Sequence, residues 1–260
     1  MLPHTEHGSG PVALILMPFL AGTQAEWTEV IGTLGKFYRC VTIDLPGFGE
    51  AANIPGYTIS EMSDALIQTL SGLNLDRYVL VGHSMAGKLS AVVTRRILDG
   101  DAPLHPPIGL VLVAPSPPSP EPMTDAKRSQ MLKAFPAQSD VDEDQKQAEK
   151  YIKDNSSHDI PTDRLNRTIA EVLKMNRAAW TAWLEGGSKE DWSTQVGIID
   201  LPTLIFAGDN DNALGPGPQA KNTQPFFPQA HLIALDTNHL IPLEEPDELA
   251  ARISNFIKIL

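Results

Sequence analysis

Short apolar runs alternate along the chain with longer stretches in which apolar residues recur every three or four positions. The runs at 12–16, 39–43, 78–81, 109–113, 201–207 and 231–235 have the length and the continuous hydrophobicity of strands covered on both faces. Between them, 26–37, 59–73, 86–98 and 246–260 carry the apolar stripe of helices that lie on a sheet. The alternation predicts a doubly wound, mainly parallel α/β sheet, whose ligands sit beyond the carboxyl ends of the strands.

The alternation stops after position 113. Ala114-Pro115-Ser116-Pro117-Pro118-Ser119-Pro120 has too much proline for a helix or a central strand. From there to about position 200 no strand-like run occurs, but 142–153 and 164–184 read as helices. On the second, Ile169, Val172, Leu173, Trp180, Trp183 and Leu184 fall on one face. The expected organisation is a core of residues 1–116 and 201–260 with a helical cap, 117–200, inserted between the fourth and fifth strands.

Composition narrows the partners. The 260 residues are 42% apolar, enough for a sizeable core in one domain, and only 20% are charged. With 32 acidic against 20 basic residues the net charge of −12 repels phosphate backbones and anionic lipid, so no nucleic-acid partner is expected. Cys40 is the sole cysteine, and no spacing of Cys and His suits a metal, so neither disulfide, metal nor cofactor is expected. The apolar stretch 12–20 contains Pro18 and is too short to span a bilayer. A cytoplasmic protein with no membrane partner follows as the expectation, and its oligomeric state is left open.

The chemistry concentrates in Tyr78-Val79-Leu80-Val81-Gly82-His83-Ser84-Met85-Ala86-Gly87, which passes from strand to helix through small residues. A serine at such a turn is pushed outward, with the helix N-terminus and the N–H of Met85 behind it; the competing reading is a plain Gly/Ser turn. A side chain at Gly82 would collide as strand and helix close up. A nucleophilic serine needs a base, and the base needs a carboxylate to orient it. The strand at 201–207 runs into Gly208-Asp209-Asn210-Asp211, and the next into Asp236-Thr237-Asn238-His239. Serine, acid and histidine thus each follow a strand and share one edge of the sheet.

These motifs resemble the capped members of the α/β-hydrolase superfamily, and the resemblance covers nearly the whole chain. Asp44-Leu45-Pro46-Gly47-Phe48-Gly49 is similar to the family's D-x-P-G-x-G loop, and Asn238-His239-Leu240-Ile241-Pro242 to its histidine loop. The resemblance implies an α/β-hydrolase fold of six to eight strands and a Ser84, Asp211, His239 triad, Asp211 being preferred to Asp209. It implies an oxyanion hole from the N–H groups of Phe19 and Met85. It further implies an esterase-like serine hydrolase acting on a small, largely apolar ester or lactone. A carbon–carbon hydrolase, a cofactor-free lyase or dioxygenase, or a low-turnover signalling receptor are the alternatives on the same fold.

Two departures stand out. Met17-Pro18 replaces the family's His-Gly, and about eleven residues precede the first strand where the family fits a hairpin. His83, Trp180 and Trp183 are candidate substrate-binding residues, although packing explains each as well. Lys88 and Glu50 read as solvated charges, His4, His7, His105 and His158 as solvated loop residues, and His231 as structural.

Overall fold

The computed structural model describes residues 1–136 and 140–260. In chain order the core opens with β1 (His4–His7), β2 (Ala13–Met17), α1 (Thr28–Leu34), β3 (Arg39–Ile43), α2 (Ile59–Ser71), β4 (Tyr78–His83), α3 (Met85–Leu98) and β5 (Gly109–Val113). A helical segment follows: α4 (Asp125–Ala134), α5 (Val141–Asp154), α6 (Thr162–Val172), α7 (Arg177–Glu185) and α8 (Ser193–Val196). The core resumes with β6 (Thr203–Gly208), α9 (Pro216–Asn222), β7 (Ala230–Leu235), α10 (Ile241–Glu244) and α11 (Pro246–Ile257). Among the described residues seven strands form one sheet in the order β1-β3-β2-β4-β5-β6-β7, parallel except for β1 against β3. This is the α/β-hydrolase fold.

Period-two alternation divides the core in two. On β2 and β4, Ile15, Met17, Tyr78 and Leu80 face one layer with Met62 and Leu66 of α2 and Leu89 and Val93 of α3. Leu14, Leu16, Val79 and Val81 face the other layer with Val30 and Leu34 of α1 and Leu249 and Ile253 of α11. Strands buried on both faces are apolar at every position, which made them readable as continuous runs. Helix α2 starts at a capping box: the Glu61 N–H donates to the Thr58 hydroxyl at 3.2 Å, and the Glu61 carboxylate accepts the Thr58 N–H at 3.1 Å.

Three expectations change. His4 and His7 belong to a strand rather than a loop: β1 pairs antiparallel with β3, His4 opposite Ile43 and His7 opposite Cys40. Four mostly exposed residues carried no apolar pattern to reveal it. The helix expected over 164–184 is two helices, because Asn176 intervenes. Its side chain caps α7 by accepting the Ala178 N–H at 2.9 Å, while its own N–H donates to Gly47 O at 2.8 Å. Helix α4 was invisible because it has no apolar stripe; it starts at the Thr124 cap, which accepts the Lys127 N–H at 3.2 Å. Among the described residues no helix is long and apolar enough to cross a membrane.

A close approach in the core joins β4 to α3. A Cβ on Gly82 would lie 2.4 Å from Ala86 O and 2.5 Å from the Ser90 hydroxyl, and one on Gly87 would lie 2.3 Å from Pro115 Cβ. Gly82→Ala is expected to cost about 1–3 kcal/mol of stability through this overpacking, read as a lower midpoint in thermal or urea unfolding.

Candidate active site

Ser84 lies between the end of β4 and the start of α3, at φ 54° and ψ −116°. A non-glycine residue in this region is strained, and the surroundings hold it there. Its N–H donates to Val113 O at 2.9 Å, and its carbonyl accepts the N–H groups of Gly87 at 2.8 Å and Ser116 at 2.9 Å. Ser116 lies in the proline-rich segment, so the chain leaving β5 braces the turn directly.

Asp211 and His239 come from the loops after β6 and β7. The Asp211 Oδ1 accepts the N–H groups of Ala213 and Leu214, each at 2.9 Å, and its Oδ2 lies 2.7 Å from His239 Nδ1. A carboxylate only accepts, so Nδ1 carries the proton and Nε2 presents its lone pair to the Ser84 hydroxyl, 2.8 Å away. Ser84, His239 and Asp211 therefore form one hydrogen-bonded chain. Asp209 is exposed and takes no part in it.

The charges bias one another. Burial pushes the Asp211 carboxyl up, but the His239 charge and hydrogen bond and the two backbone N–H groups outweigh it and hold the group down at about 2. Burial pushes His239 down, and the Asp211 charge and hydrogen bond, followed by Glu121 and Glu26, outweigh it and raise the imidazole above its ordinary 6.5.

Beside Ser84 opens a cavity of about 400 Å³, closed on one side by the carboxyl edge of the sheet and on the other by the segment between β5 and β6. Ser84, Asp211, His239 and Leu20 line it from the core, and Pro122, Met123, Met131, Tyr151 and Trp183 from the helical segment. Trp183 is thus in the cavity wall, whereas Trp180 is not. The Trp180 ring packs edge-on against Phe135 at 5.0 Å and Tyr151 at 5.3 Å, and its Nε1–H donates to Met131 O at 3.2 Å.

His83 and Phe19 also depart from expectation. His83 is fully buried outside the cavity lining, with Nδ1 2.5 Å from Glu26 Oε1 and Nε2 2.9 Å from the backbone oxygen of His239. The Phe19 N–H, expected to point at an oxyanion, donates to Glu26 Oε2 at 3.0 Å. The next donor along is Leu20, in a turn closed by Gly22 N–H to Phe19 O at 2.9 Å with Ala21 at φ 66°.

Glu26 escaped the sequence reading because it sat inside an apparent helix start beside Trp27. Lys88, read as solvated, is fully buried: its ammonium donates to Gly187 O at 3.2 Å and Glu190 O at 2.9 Å, and burial lowers it to about 8. Glu50 is exposed as expected. Glu244 ties the histidine loop to the end of α5. It accepts Asn238 N–H at 2.9 Å, and on its other oxygen Ser157 N–H at 2.8 Å and His158 N–H at 3.0 Å. Burial pushes Glu121, in the cavity wall, above the usual carboxylate range, against the Ser116 hydroxyl and the charges of His239, Lys88 and Arg128. Among the described residues no group of three His, Cys, Asp or Glu could hold a metal ion.

The sequence profile of the α/β hydrolase family matches residues 7–252, and the chain belongs to that family. The 3-oxoadipate enol-lactonase 1 of Acinetobacter baylyi is 23% identical over 256 residues, 95% of this chain and 88% of that protein. A 2-succinyl-6-hydroxy-2,4-cyclohexadiene-1-carboxylate synthase from an Enterobacter strain is 34% identical over 77 residues, 30% of either chain. Three relatives that match locally, that synthase among them, are spanned over only 6% to 30% of their own length. Among solved structures, a bromoperoxidase from Bacillus anthracis superposes with a TM-score of 0.85 at 18% identity, covering 98% of this chain and 94% of that one. An esterase from Exiguobacterium antarcticum gives 0.83 at 16% identity with the same coverage, 98% and 94%.

The direction of the histidine shift is directly measurable. In an NMR titration the His239 ring should protonate above pH 6.5, and Asp211→Asn should move that midpoint down. The stability effects run oppositely. The Asp211 share is present above its unfolded value of 3.8 and is lost as pH falls through about 2. The His239 share is complete below 6.5 and is lost as pH rises through its raised value. Acid unfolding of Asp211→Asn should therefore lose the Asp211 share of its pH dependence between about pH 4 and pH 2.

Proposed function

We propose that the protein is a serine hydrolase of carboxylic esters or lactones, acting through an acyl-enzyme. The observation that carries this reading is the continuous chain from Ser84 Oγ to His239 Nε2 at 2.8 Å and from His239 Nδ1 to Asp211 Oδ2 at 2.7 Å, opening into a cavity. Ser84 Oγ attacks the carbonyl carbon as its proton passes to His239 Nε2, and Asp211 stabilises the imidazolium that forms. The tetrahedral intermediate collapses, the proton moves from His239 to the leaving alkoxide, and the alcohol departs. Water then repeats the sequence on the acyl-enzyme, with His239 as base, and releases the acid.

The oxyanion that forms in each half-reaction faces the Met85 N–H, first on α3, where the helix dipole adds positive potential. With the Phe19 N–H already donated to Glu26, we assign the second donor to Leu20. Leu20 lines the cavity beside Ser84, and among the described residues its N–H has no acceptor. Leu20 stands first of the two central residues of a type II-like turn, a position that accepts proline. Leu20→Pro should keep the turn, remove the donor and lower kcat by about 10²-fold, whereas Leu20→Val should stay close to wild type.

We take residues 117–200 as a cap that selects the substrate. Met123, Met131 and Trp183 give the cavity an apolar wall, which supports a small, mainly apolar acyl or alcohol group, and neither nucleic acid nor membrane enters the reading. A reducing, cytoplasmic setting suits the buried, unpaired Cys40. The enol-lactonase and the esterase among the comparisons support the ester and lactone class.

A fluorophosphonate should label Ser84 alone, as read by mass spectrometry, and Ser84→Ala should abolish both label and turnover of p-nitrophenyl acetate. Asp211→Asn should lower kcat by orders of magnitude, with Asp209→Asn near wild type. Labelling elsewhere, or turnover by Ser84→Ala, would reject the mechanism. Met131→Ala and Trp183→Ala should lengthen the preferred acyl chain with little change in kcat on the acetate.

A further inference from the structure

Behind the Ser84 chain lies a second carboxylate–histidine pair with a different job. Glu26 and His83 have side chains only 1% and 0% exposed, and their contact of 2.5 Å between Oε1 and Nδ1 is the shorter of the two acid–histidine contacts at the site. The hydrogen-bond directions count the protons. The backbone oxygen of His239 only accepts, so His83 Nε2, 2.9 Å away, carries a hydrogen. The Phe19 N–H fills Glu26 Oε2. Without a further hydrogen, a carboxylate lone pair would face the lone pair of Nδ1 across 2.5 Å with no water to separate them.

One proton is therefore shared between Glu26 and His83, which makes the pair neutral overall. Neutrality is what permits it to be buried, since an unpaired charge at this depth would be strongly disfavoured. Phe19 at 5.6 Å, His239 at 5.2 Å and the edge-on Trp27 at 6.5 Å surround the imidazole.

We propose that Glu26 and His83 are positioning residues that hold one shared proton and fix two parts of the machinery at once, the main chain of His239 and the turn at residues 19–22. His83 fixes the first by donating to the His239 carbonyl, and Glu26 fixes the second by accepting the Phe19 N–H. Both attachments end next to the reacting atoms: His239 bonds Ser84, and Leu20 follows Phe19 into the cavity wall. On the turn itself, the Phe19 N–H is held by Glu26, which His83 holds in turn.

The proposal rests on the reading of Ser84 and His239 as nucleophile and base, and the experiment separates the two. The shared proton should give a far-downfield imidazole N–H resonance in the wild-type enzyme. It should persist in Asp211→Asn, which removes only the His239 contact, and vanish in Glu26→Gln. Glutamine keeps every hydrogen bond, accepting from Phe19 and donating to a neutral His83, but leaves no proton to share.

Kinetics on a small acetate ester tests the positioning. Asparagine at 83 reaches Glu26 but not the His239 carbonyl, whereas glutamine reaches the carbonyl. His83→Asn should lose about 10²-fold in kcat at unchanged KM, and His83→Gln should recover most of it. Equal losses in the two variants, wild-type kcat in His83→Asn, or no Glu26-dependent resonance would overturn the proposal. The resonance is read on wild type and Glu26→Gln, so the test stands even where His83→Asn fails to fold. Turnover by Ser84→Ala would instead overturn the hydrolase reading and leave the resonance in place.

Discussion

Strand β4 and helix α3 can meet closely enough to hold Ser84 at φ 54° only because position 82 has no side chain to place against Ala86 O and the Ser90 hydroxyl. The left-handed turn is unfavourable for serine, and the structure supports it from two neighbouring strands. Val113 of β5 accepts its N–H, the chain leaving β5 returns Ser116 to its carbonyl, and β2 pairs Met17 with Gly82 alongside. A histidine must lie on the same edge of the sheet to reach a hydroxyl held outward in this way. Parallel strands supply it, because β6 and β7 end where β4 ends, and the loops that carry Asp211 and His239 arrive from the same direction.

Around that turn the polar groups divide by exposure to the cavity. Ser84, His239 and Asp211 line it as one hydrogen-bonded chain. Glu26, His83 and Glu244 lie behind, dry and paired, and hold the main chain of the two loops that matter most. A backbone amide or carbonyl buried without a partner would cost about 1–3 kcal/mol, so each of these side chains also satisfies a group that the irregular loops expose. Loops at the carboxyl edge thus gain the order of secondary structure without its repeating hydrogen bonds.

The helical segment is tied to the same frame. Asn176 joins the start of α7 to the Gly47 loop, Tyr151 donates its hydroxyl to Leu20 O at 3.1 Å, and Glu244 links the end of α5 to the histidine loop. The wall over Ser84 and the loops beneath it are therefore one hydrogen-bonded assembly, and the shape of the cavity depends on both.

By itself the sequence determined the parallel sheet, the strand-to-helix turn at Ser84, and the order of serine, acid and histidine. Strands buried on both faces must be apolar at every position, a strained turn demands glycine at 82, and loops after successive parallel strands share one edge. Such constraints are local and leave a periodic mark. The tertiary structure alone decided the edge strand β1, whose exposed residues have no pattern, and the division of 164–184 into two helices around Asn176. It also decided which residues face the cavity. Trp180 and Trp183 are equivalent in periodicity, and only the packing of Phe135 and Tyr151 turns Trp180 away. The burial of Lys88, Glu26 and His83 left no mark in the sequence, because a buried charge is defined by its partners. Those partners, Gly187 and Glu190 for Lys88, and Phe19 and the backbone of His239 for the Glu26–His83 pair, lie mostly far away in the chain and meet them only when the fold closes.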